Sequence, residues 1–553
     1  MVISKQEPLD ITANKWKLIE FGLATSFTYV NPFWDVQVYS EFRHEDGSIQ
    51  KVSAFYDGQD EKGLHCWKIR WSPEKEGKWH CRIFSLPANE ELAREFSLST
   101  GRPDPGSRGF LRADSSAASY GFHFDNGEPF FLFGDTQYNI FGAAYCGVDV
   151  ESILKKRRSQ GINYIRARMQ VSPYHPDIRN QWQTKDCWPW GGSPQWPEFM
   201  KLNLDYFKAV DQIVALASEL RMGFEIILQG WLMEFPFNDR SKFIAEYESF
   251  WHEYIIARYA AYDSVYIWCP ANEYEYYPVG LPARYNKEAN RWIIRLSEQI
   301  RSFDPYAHPI GAHNWEQKLS LHERLGHCEM IDVYLIQTNW ASQVLDSPIP
   351  SSRCAGLEGD LNHHSGGRMK ASICAEFGYE RADGLLTAAI HQQLDHHHTR
   401  RGQWRAGFSG YPIVHGFDNT WGPHIRLEKE SVGTSYLLPY YRFMTEIVSF
   451  NRLSPAPERI STASGTEAEG TLPLCLADRE FGVIAIYFPT SGACELSAEA
   501  EESAWYRWFN PRTGELAEYE RCNGVSFSTP EAATTGDDEE SDDWVLLITR
   551  ECH

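Results

Sequence analysis

Between about residues 109 and 450, short apolar strands alternate with amphipathic helices, and this alternation constrains the fold most. Within residues 204–220 and 292–300, apolar side chains recur at three- and four-residue steps, which is the period of a helix packed on one face. Strands separated by such helices are typical of βα units. Eight strands are predicted, at residues 130–133, 164–168, 224–228, 265–270, 309–313, 331–337, 371–376 and 411–417. Eight units over about 340 residues predict a (β/α)₈ TIM barrel.

The segments before and after this region carry strand patterns without helices. Residues 1–105 contain alternating apolar runs and end in a linker with two prolines and two glycines at 101–106. Residues 453–553 return to short alternating strands with turn signals between them. The predicted fold class is therefore α/β. It consists of a barrel at 106–452 flanked by N-terminal and C-terminal antiparallel β-sandwich domains.

Composition excludes several classes of partner. The formal net charge of −22 disfavours binding to nucleic acid or to an anionic membrane surface. The sequence contains no run of about 18 apolar residues that could span a bilayer. Its 12 cysteines follow no metal or disulfide spacing and no leader-like segment precedes them, so we expect a reducing, cytoplasmic location. Aromatic residues make up 14%, including 20 Trp, and some of them suit stacking on sugar rings.

Polar and aromatic residues stand at the carboxyl ends of the predicted strands, where a barrel of this type holds its active site. Two of those ends are glutamates: Glu273 after the fourth strand and Glu376 after the seventh. The other candidates for substrate binding at these ends are Asp135, Arg166, Arg168, Trp231, Asn272, His313, Gln337, Asn339, Trp340 and Trp421. Strands four and seven face each other across a barrel mouth, so the two glutamates are predicted to converge.

Two convergent carboxyl groups are what cleavage of a glycosidic bond requires. One protonates the leaving oxygen while the other attacks the anomeric carbon, and in retaining enzymes the two groups stand about 5 Å apart. We assign Glu273 as the acid/base and Glu376 as the nucleophile. Arg166 or Arg168 beside Glu376 would favour its ionised form. Asn272 is placed to bind a substrate hydroxyl.

The remaining candidates have a substrate-binding and a structural interpretation. Trp421 would form an apolar floor beneath the sugar, while His313, Gln337 and Asn339 would recognise hydroxyl groups. Asp135 could instead cap the following helix, and one of the two arginines could only neutralise barrel carboxylates. Glu275 and Glu380 compete with the proposed catalytic pair, although both fall beyond the strand ends.

No metal or cofactor is expected. The run His396–His398 precedes basic residues on a helical stretch, and adjacent histidines on a helix point in different directions. The acidic loop at 537–543 is better interpreted as a solvated loop than as a calcium site.

The strand ends resemble those of clan-A retaining glycoside hydrolases, whose acid/base and nucleophile follow strands four and seven. The segment 129–136 is similar to the first strand of the apiosidase-like barrel family, and 31–36 with 54–58 and 76–79 resembles its N-terminal β-sandwich. The segments 508–514 and 543–546 resemble its C-terminal sandwich, named "putative collagen-binding". Members of this family often carry an aspartate where this chain has Asn272 and Glu273. The resemblance therefore implies the clan's chemistry rather than apiose as the sugar.

These observations predict a retaining glycoside hydrolase that acts by double displacement on an oligosaccharide or glycoside substrate, derived from a plant or microbial oligo- or polysaccharide. Residues 172–199 contain four tryptophans, at 182, 188, 190 and 196, and we expect this loop to wall the cleft and favour exo action. A transglycosylase would use the same two glutamates, and a catalytically silent carbohydrate-binding protein is the alternative from another class. Assembly into a homo-oligomer is left open.

Overall fold

The computed structural model describes residues 11–114, 121–171, 184–278, 286–315, 320–337, 370–380, 395–417, 430–461, 472–480, 482–497, 504–530 and 542–550. Within these residues, an eight-stranded parallel barrel is flanked by antiparallel sheets on both sides in the sequence. The predicted fold class is thus confirmed.

The N-terminal module forms eight strands in two sheets from residue 11 onward. They are β1 Ile11–Asn14, β2 Ile19–Thr25, β3 Gln37–His44, β4 Ile49–Ser53, β5 Phe55–Gln59, β6 His65–Trp71, β7 Gly77–Leu86 and β8 Arg94–Gly101. One sheet has the order β1-β8-β7-β3-β4 and the other β2-β6-β5. The pairing of β1 with β8 is parallel, whereas the sequence predicted only antiparallel pairs. Trp67 and Trp71 are buried between the sheets, and Phe42 stacks on Trp71 with ring centroids 4.2 Å apart.

A short hairpin leads into the barrel, and a second one is inserted after its second strand. The first consists of β9 Leu111–Ala113 and β10 Phe122–Phe124, and the second of β13 Trp190–Gly192 and β14 Pro197–Leu202. The barrel strands are β11 Phe133–Thr136, β12 Tyr164–Arg168, β15 Gly223–Gln229, β16 Val265–Ala271, β17 Gly311–His313, β18 Val333–Gln337, β19 Ala371–Glu380 and β20 Ile413–Phe417. A parallel bridge from Trp268 to Ile310 joins β16 to the start of β17 and closes the ring.

All eight predicted strands overlap the observed barrel strands, but the first overlaps only at Phe133, because it was placed too early. The sequence predicted 130–133, whereas β11 begins at Phe133. Phe130 instead donates its backbone N–H to Phe122 of β10, and its side chain packs on Phe124 and Tyr266. The apolar run therefore covers the base of the barrel before the strand starts. An apolar run alone does not show whether its residues cover the base of the barrel or form a barrel strand.

Eight α-helices are described. They are α1 Ile140–Tyr145, α2 Val150–Ser159, α3 Leu204–Glu219, α4 Ala245–Tyr259, α5 Lys287–Phe303, α6 Leu321–Leu325, α7 His396–Phe408 and α8 Leu437–Arg442. The helical patterns at 204–220 and 292–300 correspond to α3 and α5. The run of three histidines forms the first turn of α7, where Asp395 caps the backbone and contacts His398 at 2.9 Å. This contact gives His398 a structural role.

The described residues of the C-terminal module form nine strands in two sheets. They are β21 Leu453–Pro455, β22 Ile460–Ser461, β23 Leu474–Asp478, β24 Val483–Phe488, β25 Ala493–Leu496, β26 Trp505–Phe509, β27 Glu520–Arg521, β28 Ser526–Ser528 and β29 Trp544–Thr549. Their orders are β21-β23-β24-β29-β26-β27 and β22-β25-β28. A buried ion pair between Arg400 and Asp543, 3.1 Å apart, fastens this module to α7. Asp543 ends the predicted acidic loop, of which 537–541 lie outside the described residues.

Candidate active site

Glu273 and Glu376 share an uncommon backbone conformation at the barrel mouth. Glu273 follows β16 and Glu376 lies in β19, and each has a φ of 50°. A non-glycine residue in this left-handed region costs on the order of 1–3 kcal/mol, and such residues cluster at functional sites. The pairing of β19 with β20 is irregular between Cys374 and Phe377, which is where Glu376 lies. Both glutamates therefore depart from the regular strand conformation.

Gln337, at the end of β18, connects the two glutamates. Its amide nitrogen Nε2 donates to Glu273 Oε1 and to Glu376 Oε2, each at 2.7 Å. Because both oxygens lie 2.7 Å from the same nitrogen, they cannot be further apart than twice that distance, 5.4 Å. The two N–H bonds of a planar amide diverge by about 120°, which corresponds to an oxygen separation of about 4.7 Å. The predicted convergence of the two carboxyl groups is therefore observed.

Arg166 supplies positive charge to Glu376. Its Nη1 donates to Glu376 Oε1 at 2.7 Å and to the Tyr138 hydroxyl at 2.5 Å, and its Nη2 donates to Asn272 Oδ1. The same guanidinium donates from Nε to Glu225 at 2.9 Å. Arg166 is fully buried, so this paired charge acts at short range in a poorly solvated site. It favours the ionised form of Glu376.

Glu273 has uncharged hydrogen-bond partners instead. Besides Gln337, the indole N–H of Trp231 donates to its Oε2 at 2.5 Å. Burial raises the pKa of Glu273 to about 7, while the hydrogen bonds from Gln337 and Trp231 act in the opposite direction. A carboxyl group with this pKa can hold a proton near neutral pH and give it up during a reaction, as an acid/base must.

His313, at the end of β17, lies between the two glutamates as a neutral ring. Burial, with a further contribution from the charge of Arg166, holds its pKa well below the usual histidine range. Its Nδ1 accepts a hydrogen bond from the backbone N–H of Glu273 at 3.1 Å, so the ring proton belongs on Nε2. Nε2 is buried without a partner in the described part of the chain and lies 3.8 Å from Glu376 Oε1. This N–H is available to a substrate hydroxyl.

Two of the predicted residues face other groups. Asp135 is fully buried and pairs with Arg157 of α2 at 2.7 Å and with Gln137 at 2.8 Å, so it neither faces the mouth nor caps a helix. The prediction that Asp135 binds substrate is wrong, because its side chain alternates to the outer face of β11. Arg168 lies 3.4 Å from Glu234, and its guanidinium stacks over the Tyr138 ring at 4.2 Å. Asn339, Trp340 and Trp421 lie outside the described residues.

The competing glutamates are both held in structural contacts. Glu275 accepts hydrogen bonds from Arg324 at 2.6 Å and from the backbone N–H of Trp315 at 2.9 Å. Glu380 accepts from Thr399 at 2.7 Å and from the backbone N–H of Gly433 at 2.8 Å. In each case both carboxylate oxygens are engaged away from the catalytic pair.

Tyr138 and Glu225 belong to the site but were not predicted. Tyr138 follows β11 by two residues and contacts both arginines. Glu225 lies inside β15, where it pairs with Arg166 and accepts from the Tyr164 hydroxyl at 2.8 Å. A charged residue within an apolar strand could have signalled Glu225, because a buried charge requires a partner.

Within the described residues, no group of three or more His, Cys, Asp or Glu side chains is arranged to hold a metal ion. In the same part of the chain, no helix is both long enough and apolar enough to cross a membrane.

A (β/α)₈ barrel with glutamates converging from its fourth and seventh strands defines the class of protein, a glycoside hydrolase. The chain belongs to the apiosidase-like family, because the family model described as "Apiosidase-like, catalytic domain" matches residues 117–424. A domain of unknown function, DUF5060, matches residues 12–85. The family described as "Putative collagen-binding domain of a collagenase" matches residues 460–549. The resemblance to the apiosidase-like barrel and its C-terminal sandwich is confirmed.

Solved structures share this architecture at low sequence identity. A "putative glycoside hydrolase" from Bacteroides vulgatus is 16% identical, with a TM-score of 0.68 over 98% of this chain and 100% of that one. A glycoside hydrolase family 5 protein from the same organism is 15% identical, with a TM-score of 0.59 over 80% of this chain and 94% of that one. At such identities the likeness concerns the fold. No curated protein sequence matches the chain.

Proposed function

We propose that the protein is a retaining glycosidase in which Glu376 is the nucleophile and Glu273 the acid/base. The observation that carries this proposal is the shared contact with Gln337, which keeps one oxygen of each carboxyl group within 5.4 Å of the other. Retaining enzymes hold their two carboxyl groups about 5–5.5 Å apart, whereas inverting enzymes need about 6.5–9.5 Å to admit a water molecule between them.

The reaction proceeds in two displacements. In the first, Glu376 attacks the anomeric carbon while Glu273 gives its proton to the leaving oxygen, which yields a glycosyl ester on Glu376 and a free alcohol. In the second, Glu273 takes a proton from water, and the resulting oxygen nucleophile displaces Glu376 from the anomeric carbon. Each inversion reverses the other, so the product keeps the configuration of the substrate.

The surroundings of each glutamate fit these roles. Arg166 stabilises Glu376 as a carboxylate before attack and as a leaving group afterwards. The poorly solvated site and uncharged partners of Glu273 keep its proton available. The Nε2–H of His313 points toward the nucleophile, where it can donate to a hydroxyl next to the anomeric carbon. Hydrogen bonds at that position strengthen as the transition state forms.

Exo action, hydrolysis in preference to transglycosylation and a carbohydrate of plant or microbial origin remain predictions.

Trp188 and Trp190, which were predicted to wall the cleft, are instead buried against Phe235 and Trp251. They support the β13–β14 hairpin. Trp182 and the rest of 172–183 lie outside the described residues.

The experiment that tests the mechanism is the stereochemistry of the first product. Aryl pyranosides and furanosides of both anomeric configurations would first be screened for release of the phenol. With the accepted substrate, proton NMR of the early reaction should show the anomer of the substrate before mutarotation. Early appearance of the opposite anomer would contradict the double displacement. Release from none of the glycosides would favour the carbohydrate-binding alternative.

A metal-independent reaction is also expected. The two-carboxylate mechanism supplies its own acid, base and nucleophile, and therefore needs no Lewis acid. Turnover should be unchanged in EDTA. Loss of turnover on chelation, restored by one divalent ion, would contradict the proposal.

Domain boundaries at 105/106 and 452/453 and a cytoplasmic location are proposed as well. β8 ends at Gly101 and β9 begins at Leu111, while β21 begins at Leu453 and pairs with the C-terminal sheet. The 12 cysteines of the sequence follow no disulfide spacing, which suits a reducing compartment. Limited proteolysis and cell fractionation test the two proposals.

A further inference from the structure

A cavity of about 350 Å³ opens between the N-terminal module and helix α4 of the barrel. Trp34 and Phe250 form part of its wall and pack edge to face, with ring centroids 5.6 Å apart. Gln37, Glu246 and Glu253 contribute an amide and two carboxyl groups. The volume falls within the range of small-ligand sites. None of these residues belongs to the catalytic pair or its partners.

The cavity adjoins an exposed apolar surface made by both modules. We name the junction surface by its four residues: Val30 (97% exposed), Trp34 (37%), Met200 (38%) and Ile244 (37%). The side chain of Asn31, which follows Val30, donates to the Met200 carbonyl oxygen at 2.9 Å. Trp34 also packs on Tyr247, three residues after Ile244, at 6.0 Å. These contacts bring the four residues together from three separate segments.

Exposed apolar area concentrates in this region. Phe27, which is 60% exposed, precedes Val30 by three residues, and Trp196, which is 82% exposed, precedes Met200 by four. With the junction surface they make six of the twelve large apolar side chains that are exposed in the described residues. Single exposed apolar residues are ordinary, but a concentration of them marks an interaction site.

The side chains that line the cavity indicate the class of ligand it can bind. Aromatic faces stack on the C–H faces of sugar rings, while amide, phenol and carboxyl oxygens accept hydrogen bonds from hydroxyl groups. Tyr39 and Gln37 already form a hydrogen bond at 2.8 Å, so their polar ends are held in place beside the cavity. The described lining contains two carboxyl groups and no lysine, arginine or histidine, which disfavours an anionic ligand.

We infer that the junction surface and its cavity form a second carbohydrate-binding site, separate from the active site, that holds a chain of neutral sugars. The choice of a carbohydrate depends on the assignment of the protein as a glycoside hydrolase. It does not depend on which glutamate is the nucleophile. The N-terminal module would then contribute to capture of a polymeric substrate rather than to bond cleavage.

Native affinity electrophoresis tests this inference. The Glu376→Ala protein, which should leave the polymer intact, is run in gels that contain galactomannan, arabinoxylan, arabinan, hydroxyethyl cellulose or, as an acidic polymer, polygalacturonate. At least one neutral polymer should retard the protein, and polygalacturonate should not. Adding Trp34→Ala should weaken the apparent affinity about three- to tenfold, because one aromatic stacking contact is lost. Trp34→Phe should retain most of the affinity.

The control is Val525→Ala, which removes a side chain of similar exposure (40%) from the C-terminal module and should leave retardation unchanged. In the active protein, Trp34→Ala should leave kcat/KM on a small aryl glycoside within about twofold, and equal melting temperatures would show that the fold is retained.

Retardation by no neutral polymer, or equal retardation with and without Trp34, would overturn the inference. So would binding of spermidine in place of a polymer, or a dimer that Trp34→Ala dissociates, because each would identify another occupant. Failure of the catalytic proposal would appear separately, as turnover by Glu376→Ala.

Discussion

Glu273 and Glu376 share a positive φ but have different electrostatic surroundings. Glu273 and Glu376 both have a φ of 50°, both are buried and both accept a hydrogen bond from Gln337. Only Glu376 receives a direct hydrogen bond from Arg166, while Glu273 is bound by the uncharged indole of Trp231. The comparison indicates that backbone strain brings the carboxyl groups together, whereas the neighbouring charge divides the roles between them.

Removing the carboxyl group of Glu376 should have the largest effect. Glu376→Ala should lower turnover by about four powers of ten, because the group that attacks the anomeric carbon is lost. Azide should restore part of the rate by entering the vacated space and yielding a glycosyl azide of inverted configuration. Release of the phenol from an aryl glycoside, with and without azide, measures both effects. More than about a tenth of the wild-type rate in Glu376→Ala would contradict the assignment.

Removing the carboxyl group at the end of β16 should have an effect that depends on the leaving group. Glu273→Ala should slow cleavage of natural oligosaccharides by about 10²–10⁴, because a sugar alcohol needs a proton as it departs. Activated nitrophenyl glycosides hardly need one, so their first step should be nearly spared. A burst of nitrophenol should then appear as the glycosyl ester accumulates.

The pH profile gives a second measure of the acid/base. The pKa of Glu273 is raised to about 7, so kcat/KM should fall as the pH rises through about 7 and the acid loses its proton. This basic limb should flatten in Glu273→Ala. Equal losses on activated and natural substrates, with the limb intact, would move the role to Glu275 or to another residue.

Replacing Gln337, which donates hydrogen bonds to both glutamates, should shift the basic limb of the pH profile. Gln337 donates to Glu273 and thereby lowers its pKa against the effect of burial. Gln337→Leu should therefore raise the pKa of Glu273 and move the basic limb to higher pH, with a loss of turnover smaller than for either glutamate. Gln170→Leu is the matched control, because Gln170 is equally buried and donates to the Phe235 carbonyl oxygen instead. If the basic limb of Gln337→Leu lay at the same pH as in wild type, Gln337 would not influence the pKa of Glu273.

Strand ends could be predicted from the sequence because a buried parallel strand is a short apolar run and its first polar residue lies at the mouth. This reasoning located Glu273, Glu376, Arg166, His313 and Gln337, all of which the structure brings together. It placed the first strand too early, because the apolar run 130–133 serves both the base of the barrel and the start of β11.

The remaining details depend on which face of a strand a residue occupies and on long-range partners. Asp135 stands at a strand end in the sequence but faces α2, since one position of register decides between barrel interior and exterior. The bridging role of Gln337 depends on two residues 64 and 39 positions away, which no local pattern encodes. Trp188 and Trp190 likewise joined the core through contacts with distant aromatic rings.

The smallest effects on turnover should come from Glu275 and Glu380, which follow Glu273 and Glu376 in the sequence. Glu275→Gln and Glu380→Gln should each keep kcat/KM within about tenfold of wild type, because both side chains are held by structural contacts. Glu275→Gln should still cost about 3 kcal/mol of unfolding free energy, since it removes the negative charge that Arg324 contacts in the interior. If kcat/KM fell by several powers of ten in either variant, that residue would be part of the catalytic machinery rather than structural.

Glu380 adds a pH dependence of stability that separates it from the catalytic pair. Burial raises its pKa from 4.5 to about 7, so between these pH values the folded protein holds a proton that the unfolded chain has released. The unfolding free energy therefore falls as the pH rises through this window. Glu380→Gln cannot ionise, so its stability relative to wild type should improve from pH 5 to pH 8 while its pH–activity profile stays unchanged. Urea denaturation at the two pH values measures the difference, and a constant difference would show that Glu380 does not titrate in this window.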